Sequence, residues 1–220
     1  MFDRLYYFPK TFRCWLARMK AAYLDRKMGI EAKEDGTFTA YEPGKEQIYQ
    51  PTYYGRLERM LRFLIPTEED VFVDLGCGKG RAVFLAAMQP FKKVIGIEIN
   101  KKLYDVALKN AGTVRSRRAP LQFIYADAAD FDPKEGTIFF MFNPFGASVL
   151  KRVLSNIKIS LVSHPRKIRI VYYAPQCRAL LDEQDWLLAA GNIENEVCPV
   201  WESRAPGKAP ETAGSDAPKS

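Results

Sequence analysis

A glycine-rich run, DLGCGKGR at residues 74–81, directly follows a short apolar stretch and is the part of the sequence best suited to chemistry. Glycines in such a turn adopt backbone dihedrals that other residues avoid, and they let the main chain approach a ligand closely. A helix that begins after the turn also presents free N–H groups to that ligand. Because a simple turn needs fewer glycines, the run predicts a cofactor-binding loop.

The spacing of the glycines differs from the dinucleotide fingerprint Gly-x-Gly-x-x-Gly. Glycines stand at positions 76, 78 and 80, and Arg81 occupies the place of the third dinucleotide glycine. Asp74 stands two residues before Gly76, where a carboxylate would repel a pyrophosphate but attract an ammonium group. The loop therefore favours a ligand that carries an ammonium group.

Three further polar residues, Glu98, Asp127 and Asn143, each follow a stretch that reads as a strand. In a doubly wound sheet, ligands bind in the crevice at the carboxyl ends of the strands. Glu98 is placed to bind ribose hydroxyls, and Asp127 is placed at an adenine edge. Together with Asp74, they predict that a nucleoside-bearing cofactor lies in this crevice.

The elements that must position these residues alternate between strand and helix. The predicted strands are Val71–Val73, Lys93–Glu98, Leu121–Tyr125, Thr137–Phe142 and Lys167–Tyr173. The predicted helices are Pro51–Leu64, Arg81–Gln89, Lys101–Asn110 and Ser148–Ile159. Strands that are apolar throughout are buried on both faces, so the alternation predicts a doubly wound, Rossmann-like α/β domain. Trp186–Ala190 and Glu196–Trp201 flank a Gly-Asn turn and predict a closing antiparallel hairpin.

The two ends of the chain differ from this domain in composition. Residues 1–30 hold seven basic and two acidic side chains, and residues 10–28 predict a helix with an apolar stripe beside a basic face. The stripe consists of Phe12, Trp15, Leu16, Met19 and Tyr23. Exposing it to water would be costly, so we expect the helix to pack as a lid near the cofactor site, or else to meet a partner.

Turn signals and composition set the domain boundaries. DG at 35–36 and PG at 43–44 predict a loop after the first helix. The last stretch is rich in Ala, Pro, Gly and Ser, and lacks an apolar anchor to offset its ordering entropy, which predicts disorder. The expected units are a basic helical extension at 1–40, a catalytic domain at 41–202 and a disordered tail at 203–220.

Composition excludes several classes of protein. The 220 residues are 47% hydrophobic, which rules out an extended disordered chain, yet no window approaches the ~18 apolar residues of a membrane-spanning helix. The first residues carry mixed charge and do not read as a secretory signal. The four cysteines, at 14, 77, 177 and 198, are scattered and predict reduced thiols in a cytoplasmic protein. No clustered set of His, Cys and carboxylate ligands suggests a metal.

Residues from about 41 to 202 resemble a class I S-adenosylmethionine-dependent methyltransferase, because DLGCGKG at 74–80 matches the family motif Asp/Glu-x-Gly-x-Gly-x-Gly. The resemblance implies a seven-stranded sheet with a reversed last hairpin, S-adenosyl-L-methionine as cofactor and methyl transfer as the reaction. It implies that the methionine part of the cofactor lies near Asp74, Gly76, Cys77, Gly78 and Gly80, the ribose near Glu98, and the adenine near Asp127 and Ala128. YQPTY at 49–53 is also similar to the pre-motif region of the non-SET histone lysine methyltransferase and its bacterial relatives.

The methyl acceptor is less constrained by the sequence. Methyl transfer from a sulfonium is an in-line displacement, so the acceptor must be held in line with the methyl carbon and sulfur. The expected acceptor-side residues are Asn143, Phe145 and Tyr53, since aromatic faces attract a sulfonium or an ammonium. Amino-directed methyltransferases often carry Asn-Pro-Pro at this position, whereas NPFG at 143–146 has a single proline.

Several functions stay open at this point. A lysine-like protein nitrogen is the favoured acceptor. Nucleic acid is the first alternative, because the first helix is basic and RSRR at 115–118 adds a second cluster. A cofactor-binding module without catalysis and a nicotinamide oxidoreductase are the remaining alternatives. The helix at 10–28 could also contact a membrane surface or a partner helix.

Overall fold

A seven-stranded sheet forms the centre of the fold in a computed structural model that describes residues 10–42, 45–194 and 197–204. The strands of the described residues are β1 (Phe38–Glu42), β2 (Lys45–Ile48), β3 (Val71–Leu75), β4 (Lys93–Glu98), β5 (Leu121–Tyr125), β6 (Ile138–Met141), β7 (Arg169–Tyr172), β8 (Leu187–Asn192) and β9 (Pro199–Ser203). The helices are α1 (Lys10–Met28), α2 (Tyr54–Leu64), α3 (Arg81–Ala86), α4 (Lys101–Thr113), α5 (Ala147–Ser163) and α6 (Ala179–Asp182). A 3₁₀ turn spans Ala128–Asp130.

The strand order in the sheet is β5-β4-β3-β6-β7-β9-β8. The first five strands in this order pair in parallel, and β9 pairs antiparallel with both β7 and β8. The chain builds outward from β3 in one direction and then from β6 in the other, so the topological switch lies between these two strands. Ligands of open α/β sheets bind at such a switch point. This confirms the predicted Rossmann-like seven-stranded fold with a reversed last hairpin.

Helices cover both faces of the sheet because its central strands carry apolar side chains on both faces. All five residues of β3 are buried, and they alternate between the two faces. Val73 and Leu75 pack in one cluster with residues of α5, while Phe72 packs in a second cluster with residues of α2 and α3. Each large apolar side chain buried in these layers contributes about 1.5–3 kcal/mol to stability.

The predicted bounds of β4 and β5 agree with the structure, and other elements differ at their ends. Helix α3 ends at Ala86 instead of Gln89, four residues before Pro90. Helix α5 continues to Ser163 instead of Ile159, because no Gly or Pro interrupts it before Pro165. The segment at 38–48, predicted as part of a loop, forms the antiparallel pair of β1 and β2, with Phe38 opposite Ile48.

Helix α1 has its predicted bounds, but the predicted stripe is not its buried face. Trp15, Met19 and Tyr23 are 53%, 54% and 65% exposed, whereas Ala21 and Met28 on the opposite side are buried. The lid expectation is therefore wrong in its contact surface: the helix packs on the domain through the face that carries Ala21, Asp25 and Met28. None of the helices in the described part of the chain has the length and apolar character needed to cross a bilayer.

The end of the sheet also differs from its predicted boundary. Ser203, expected to open the tail, ends β9, and its backbone N–H donates to the carbonyl of Ile168 at 3.0 Å. The rest of the predicted tail, apart from Arg204, lies outside the described residues.

Candidate functional site

A pocket of about 870 Å³ opens at the carboxyl ends of β3, β4 and β6, at the topological switch. The predicted residues that line it are Asp74, Gly76, Cys77, Gly78, Glu98, Asp127, Ala128, Asn143 and Phe145. Residues that are far apart in sequence thus meet at one site, as we expect for the carboxyl ends of neighbouring parallel strands. Gly80 and Tyr53 do not belong to the lining.

The glycine loop is fixed by hydrogen bonds and by close packing. The N–H groups of Gly76 and Cys77 both donate to the carbonyl of Ile97, at 2.9 and 2.8 Å, which ties the loop to β4. Gly76 and Gly78 have positive φ angles of 84° and 55°, and a Cβ at position 76 would lie 2.2 Å from Pro144 Cβ. Gly80 has φ 88° and precedes α3, so it turns the chain into the helix. The loop therefore needs glycine for its own conformation as well as for the approach of a ligand.

Glu98 supports this loop with its carboxylate. One oxygen accepts the N–H of Gly78 at 2.7 Å, and the other accepts the N–H of Asn100 at 2.8 Å. Burial raises the pKa of Glu98 despite these two hydrogen bonds, because it disfavours the charged form. Each carboxylate oxygen has a further lone pair, so the same group can also accept a ribose hydroxyl.

Asp74 is the most electrostatically unusual group in the pocket. Its side chain is 3% exposed, and burial together with the nearby charge of Glu98 raises its pKa well above the ordinary value. Among the residues that the structure describes, none forms an ion pair with Asp74. A cationic ligand would supply the missing counter-charge.

Asp127 and Ala128 form the wall beside the 3₁₀ turn. The Asp127 carboxylate accepts the N–H of Ala129 at 2.9 Å and so caps this turn. The guanidinium of Arg152 lies 3.8 Å from its other oxygen. The pocket wall here combines a small apolar residue with a partly exposed acceptor, which suits a nucleobase edge.

Asn143 lies in the pocket wall, but its side chain is used to fix two loops. It has a positive φ of 43°, its amide nitrogen donates to the carbonyl of Ala174, and its amide oxygen accepts the N–H of Gln176 at 3.1 Å. Its backbone carbonyl accepts from the side chain of Gln47 at 2.6 Å. With both ends of the amide engaged, Asn143 ties the loop after β6 to the segment after β7, and its contact with an acceptor stays a prediction.

The other two expected acceptor-side residues lie in different places. Phe145 is 6% exposed and lines the pocket. Tyr53 precedes α2 outside the lining, with the Arg56 guanidinium 5.6 Å from its ring and Arg18 hydrogen-bonded to it. Its neighbours Pro51 and Thr52 do line the pocket.

Sequence comparison places the chain among methyltransferases. Residues 30–123 match the family model described as histone methylation protein DOT1. A protein-lysine N-methyltransferase of Saccharolobus islandicus is 33% identical over 99 residues, which are 43% of this chain and 58% of that protein. The H3 lysine-79 specific histone-lysine N-methyltransferase of Dictyostelium discoideum is 36% identical over 86 residues, 34% of this chain and 5% of that protein. These matches cover less than half of the chain, and over that part it is similar to S-adenosylmethionine-dependent methyltransferases of class I.

A solved structure shows the same fold. An RNA methyltransferase from Salinibacter ruber, in complex with S-adenosyl-L-homocysteine, is 24% identical, has a TM-score of 0.53, and is matched over 74% of this chain and 97% of its own. The chain thus spans nearly all of that structure but 58% or less of the two curated relatives.

The pocket fits the cofactor of this family on its own chemistry. S-adenosylmethionine is a nucleoside that carries an ammonium and a sulfonium, and Asp74 offers a buried carboxyl without a described ion pair. Within the described residues, no group of three or more His, Cys, Asp or Glu side chains could hold a metal ion. All four cysteines are free, and Cys77, which lines the pocket, has its pKa raised by burial.

Two buried cations, Lys79 in the glycine loop and Arg81 directly after it, are features that the sequence analysis missed. The Lys79 ammonium is 1% exposed and lies 3.1 Å from Glu31 and 2.8 Å from Asp35, and its hydrogen bond lowers the pKa of Asp35 to about 2. The Arg81 guanidinium pairs with buried Asp25 at 2.6 Å. These contacts clamp the segment from 25 to 35 onto the loop. The sequence signal for this clamp was the presence of two basic residues in a glycine-rich run.

The pocket also has a cover that the sequence analysis did not identify. Thr39 of β1 and Gln47 of β2 line the pocket, followed by Ile48 and Tyr49. Tyr49 is buried against the loop, since a Cβ on Gly78 would lie 2.2 Å from its ring. The hairpin and the residues after it therefore close the pocket above the glycine loop.

Proposed function

We propose that this chain is an S-adenosylmethionine-dependent methyltransferase that methylates a nitrogen of a protein, with a lysine-like side chain as acceptor. The observation that carries the proposal is the buried Asp74 carboxyl beside the glycine loop, which lacks a counter-charge among the described residues. When bound, S-adenosylmethionine supplies the activated methyl group. Asp74 would hold its ammonium, Glu98 its ribose, and Asp127 with Ala128 its adenine.

The acceptor side of the pocket supports a nitrogen that must be desolvated. Phe142, Phe145 and Val149 line it, together with Pro144. Apolar surroundings lower the pKa of an amine, so a lysine ammonium entering this region would lose its proton more readily. The Asn143 amide already donates to Ala174 and accepts from Gln176, so only the second lone pair of its oxygen is left to accept from an adenine amine. Three of the four curated relatives are named as lysine methyltransferases, which favours the same acceptor, and the fourth is named as a tRNA (guanine-N(7)-)-methyltransferase.

The catalytic unit that we propose is larger than the segment 41–202. Asp25, Glu31 and Asp35 bind cations of the glycine loop, so the unit begins before residue 25. A cytoplasmic location stays a prediction, which rests on the scattered cysteines of the sequence.

Labelling identifies the acceptor class. The full chain is incubated with S-adenosylmethionine carrying a labelled methyl group and with a cell extract, and the label is sorted into protein, nucleic acid and small molecules. The Asp74→Asn variant serves as the matched control. We expect label in protein that survives nuclease treatment and is recovered as methyl-lysine after hydrolysis.

Label that nuclease releases would overturn the protein acceptor and favour nucleic acid. Label in a small molecule would also overturn it. If the protein binds the cofactor but no fraction is labelled, the catalytic role itself is wrong.

A further inference from the structure

Helix α1 has two faces of different chemistry. Its domain face packs through Ala21, Asp25 and Met28, which are all buried. The opposite face presents four large side chains at three- and four-residue spacing, so they form one ridge. These are Phe12, Trp15, Met19 and Tyr23, from 38% to 65% exposed, and we call them the α1 ridge. Phe12 stacks on Trp15 with ring centroids 5.7 Å apart.

The exposed charged residues of helix α1 itself are all basic. The helix contains six basic residues and one acid, and that acid, Asp25, is buried against Arg81. Lys20 pairs with Glu58 of α2 at 3.1 Å, while Arg26 and Lys27 are exposed in the last turn. The outward side of the helix is thus apolar and cationic, with no acidic residue of its own to neutralise it.

We propose that the α1 ridge binds the surface of a membrane that contains anionic lipids, with the helix lying in the plane of the interface. Trp, Tyr and Phe rings favour the headgroup level of a bilayer, and neighbouring Lys and Arg pair with anionic headgroups. The nine residues before the helix, MFDRLYYFP, add four aromatic residues and a leucine to the same end of the chain. The ridge is convex, which suits insertion between headgroups, whereas single-stranded nucleic acid follows a basic groove.

The buried face of the same helix fixes the enzyme to this anchor. Asp25 bonds both to Arg81, the first residue of α3, and to the hydroxyl of Tyr54 at 2.6 Å. Because Arg81 directly follows the glycine loop, a membrane-bound α1 holds the cofactor pocket at a fixed orientation to the lipid surface.

Vesicle binding by the full chain tests the proposal. Wild-type protein is sedimented with vesicles of pure phosphatidylcholine, and with vesicles that contain about a third of phosphatidylglycerol, at low and high salt. We expect binding to the anionic vesicles alone, weakened by salt because exposed charges are screened.

Variants separate the ridge from the charge. The double change Trp15→Ser with Met19→Ser should lower the partition at least tenfold. Arg26→Gln with Lys27→Gln should lower it about 25-fold, at about fivefold or 1 kcal/mol for each cation near the surface. Ile159→Ser with Val162→Ser, which removes apolar residues that are 61% and 80% exposed on α5, is the matched control and should bind as wild type.

Cofactor binding by all these variants, measured by calorimetry, verifies that they are folded. The proposal is overturned if wild-type protein ignores anionic vesicles or if the Trp15/Met19 variant binds them like wild type. It is also overturned if the same variants instead lose binding to a fluorescent RNA oligonucleotide or lose a dimer in sedimentation velocity.

Discussion

Replacement of Glu98 by alanine should weaken both the fold and the cofactor site, because one carboxylate serves both. The change removes acceptors for the N–H groups of Gly78 and Asn100, at 2.7 and 2.8 Å. A hydrogen bond to a charged group contributes about 1.5–3 kcal/mol. Burial disfavours the charged form of Glu98, as its raised pKa indicates. We therefore take the lower value, about 1.5 kcal/mol, for each of the two hydrogen bonds. The expected loss is about 3 kcal/mol of unfolding free energy, or about 6–12 °C in Tm for a chain of this length.

The cofactor affinity should fall about ten- to a hundred-fold in the same variant, since the ribose loses its acceptor and Gly78 loses its anchor. Scanning calorimetry of the free protein and titration with S-adenosylhomocysteine measure the two effects. Glu98→Gln is the matched control, because it keeps one acceptor oxygen but turns an NH₂ group toward a backbone donor. Its Tm and its cofactor affinity should lie between those of the alanine variant and wild type. An alanine variant with Tm within 2 °C and affinity within twofold of wild type would refute the reasoning.

Three further predictions follow from the buried charges and the chain end. The raised pKa of Asp74 means that its carboxyl group stays protonated to higher pH than usual in the free protein. Because a cationic ligand favours the carboxylate, binding must release this proton. The affinity for S-adenosylmethionine should therefore fall by up to about tenfold per pH unit on acidification. Asp74→Asn should bind weakly and lose this dependence in calorimetry from pH 8 to 5. Asp25→Ala leaves the buried Arg81 cation without its carboxylate and should lower the free energy of unfolding by about 3–5 kcal/mol in denaturant titration. Asp105→Ala breaks an exposed pair and should lower it by less than about 1 kcal/mol. Deletion of residues 205–220 should leave Tm and cofactor affinity unchanged; a drop in either shows that the segment packs on the domain.

The sequence was most informative where a single local rule decides the outcome. Strands β4 and β5 are apolar runs bounded by polar residues, and their ends could be read directly. The meeting of Asp74, Glu98 and Asp127 followed from topology, because parallel strands share one carboxyl edge.

The sequence was least informative where tertiary contacts decide the outcome. Helix α1 has apolar residues on both faces, so periodicity could not tell that Ala21 and Met28, rather than Trp15, meet the domain. Lys79 looks like a solvated loop residue until Glu31 and Asp35 are brought to it by the fold. The strands β1 and β2 are short and partly polar, and their place over the pocket is visible only in the folded chain.

Calorimetric titration of S-adenosylmethionine into wild-type protein and into Gly78→Val tests the central claim most directly. Residue 78 has a φ of 55°, and a Cβ there would lie 2.2 Å from the Tyr49 ring in the pocket wall. Gly112→Val is the matched control, because a Cβ at that position meets no atom within 4 Å. The account predicts one equivalent of cofactor bound by wild type and Gly112→Val, none by Gly78→Val, and no binding of NAD by any of them. Unimpaired binding by Gly78→Val, or no binding by wild type, would contradict the assignment of this loop as the cofactor site.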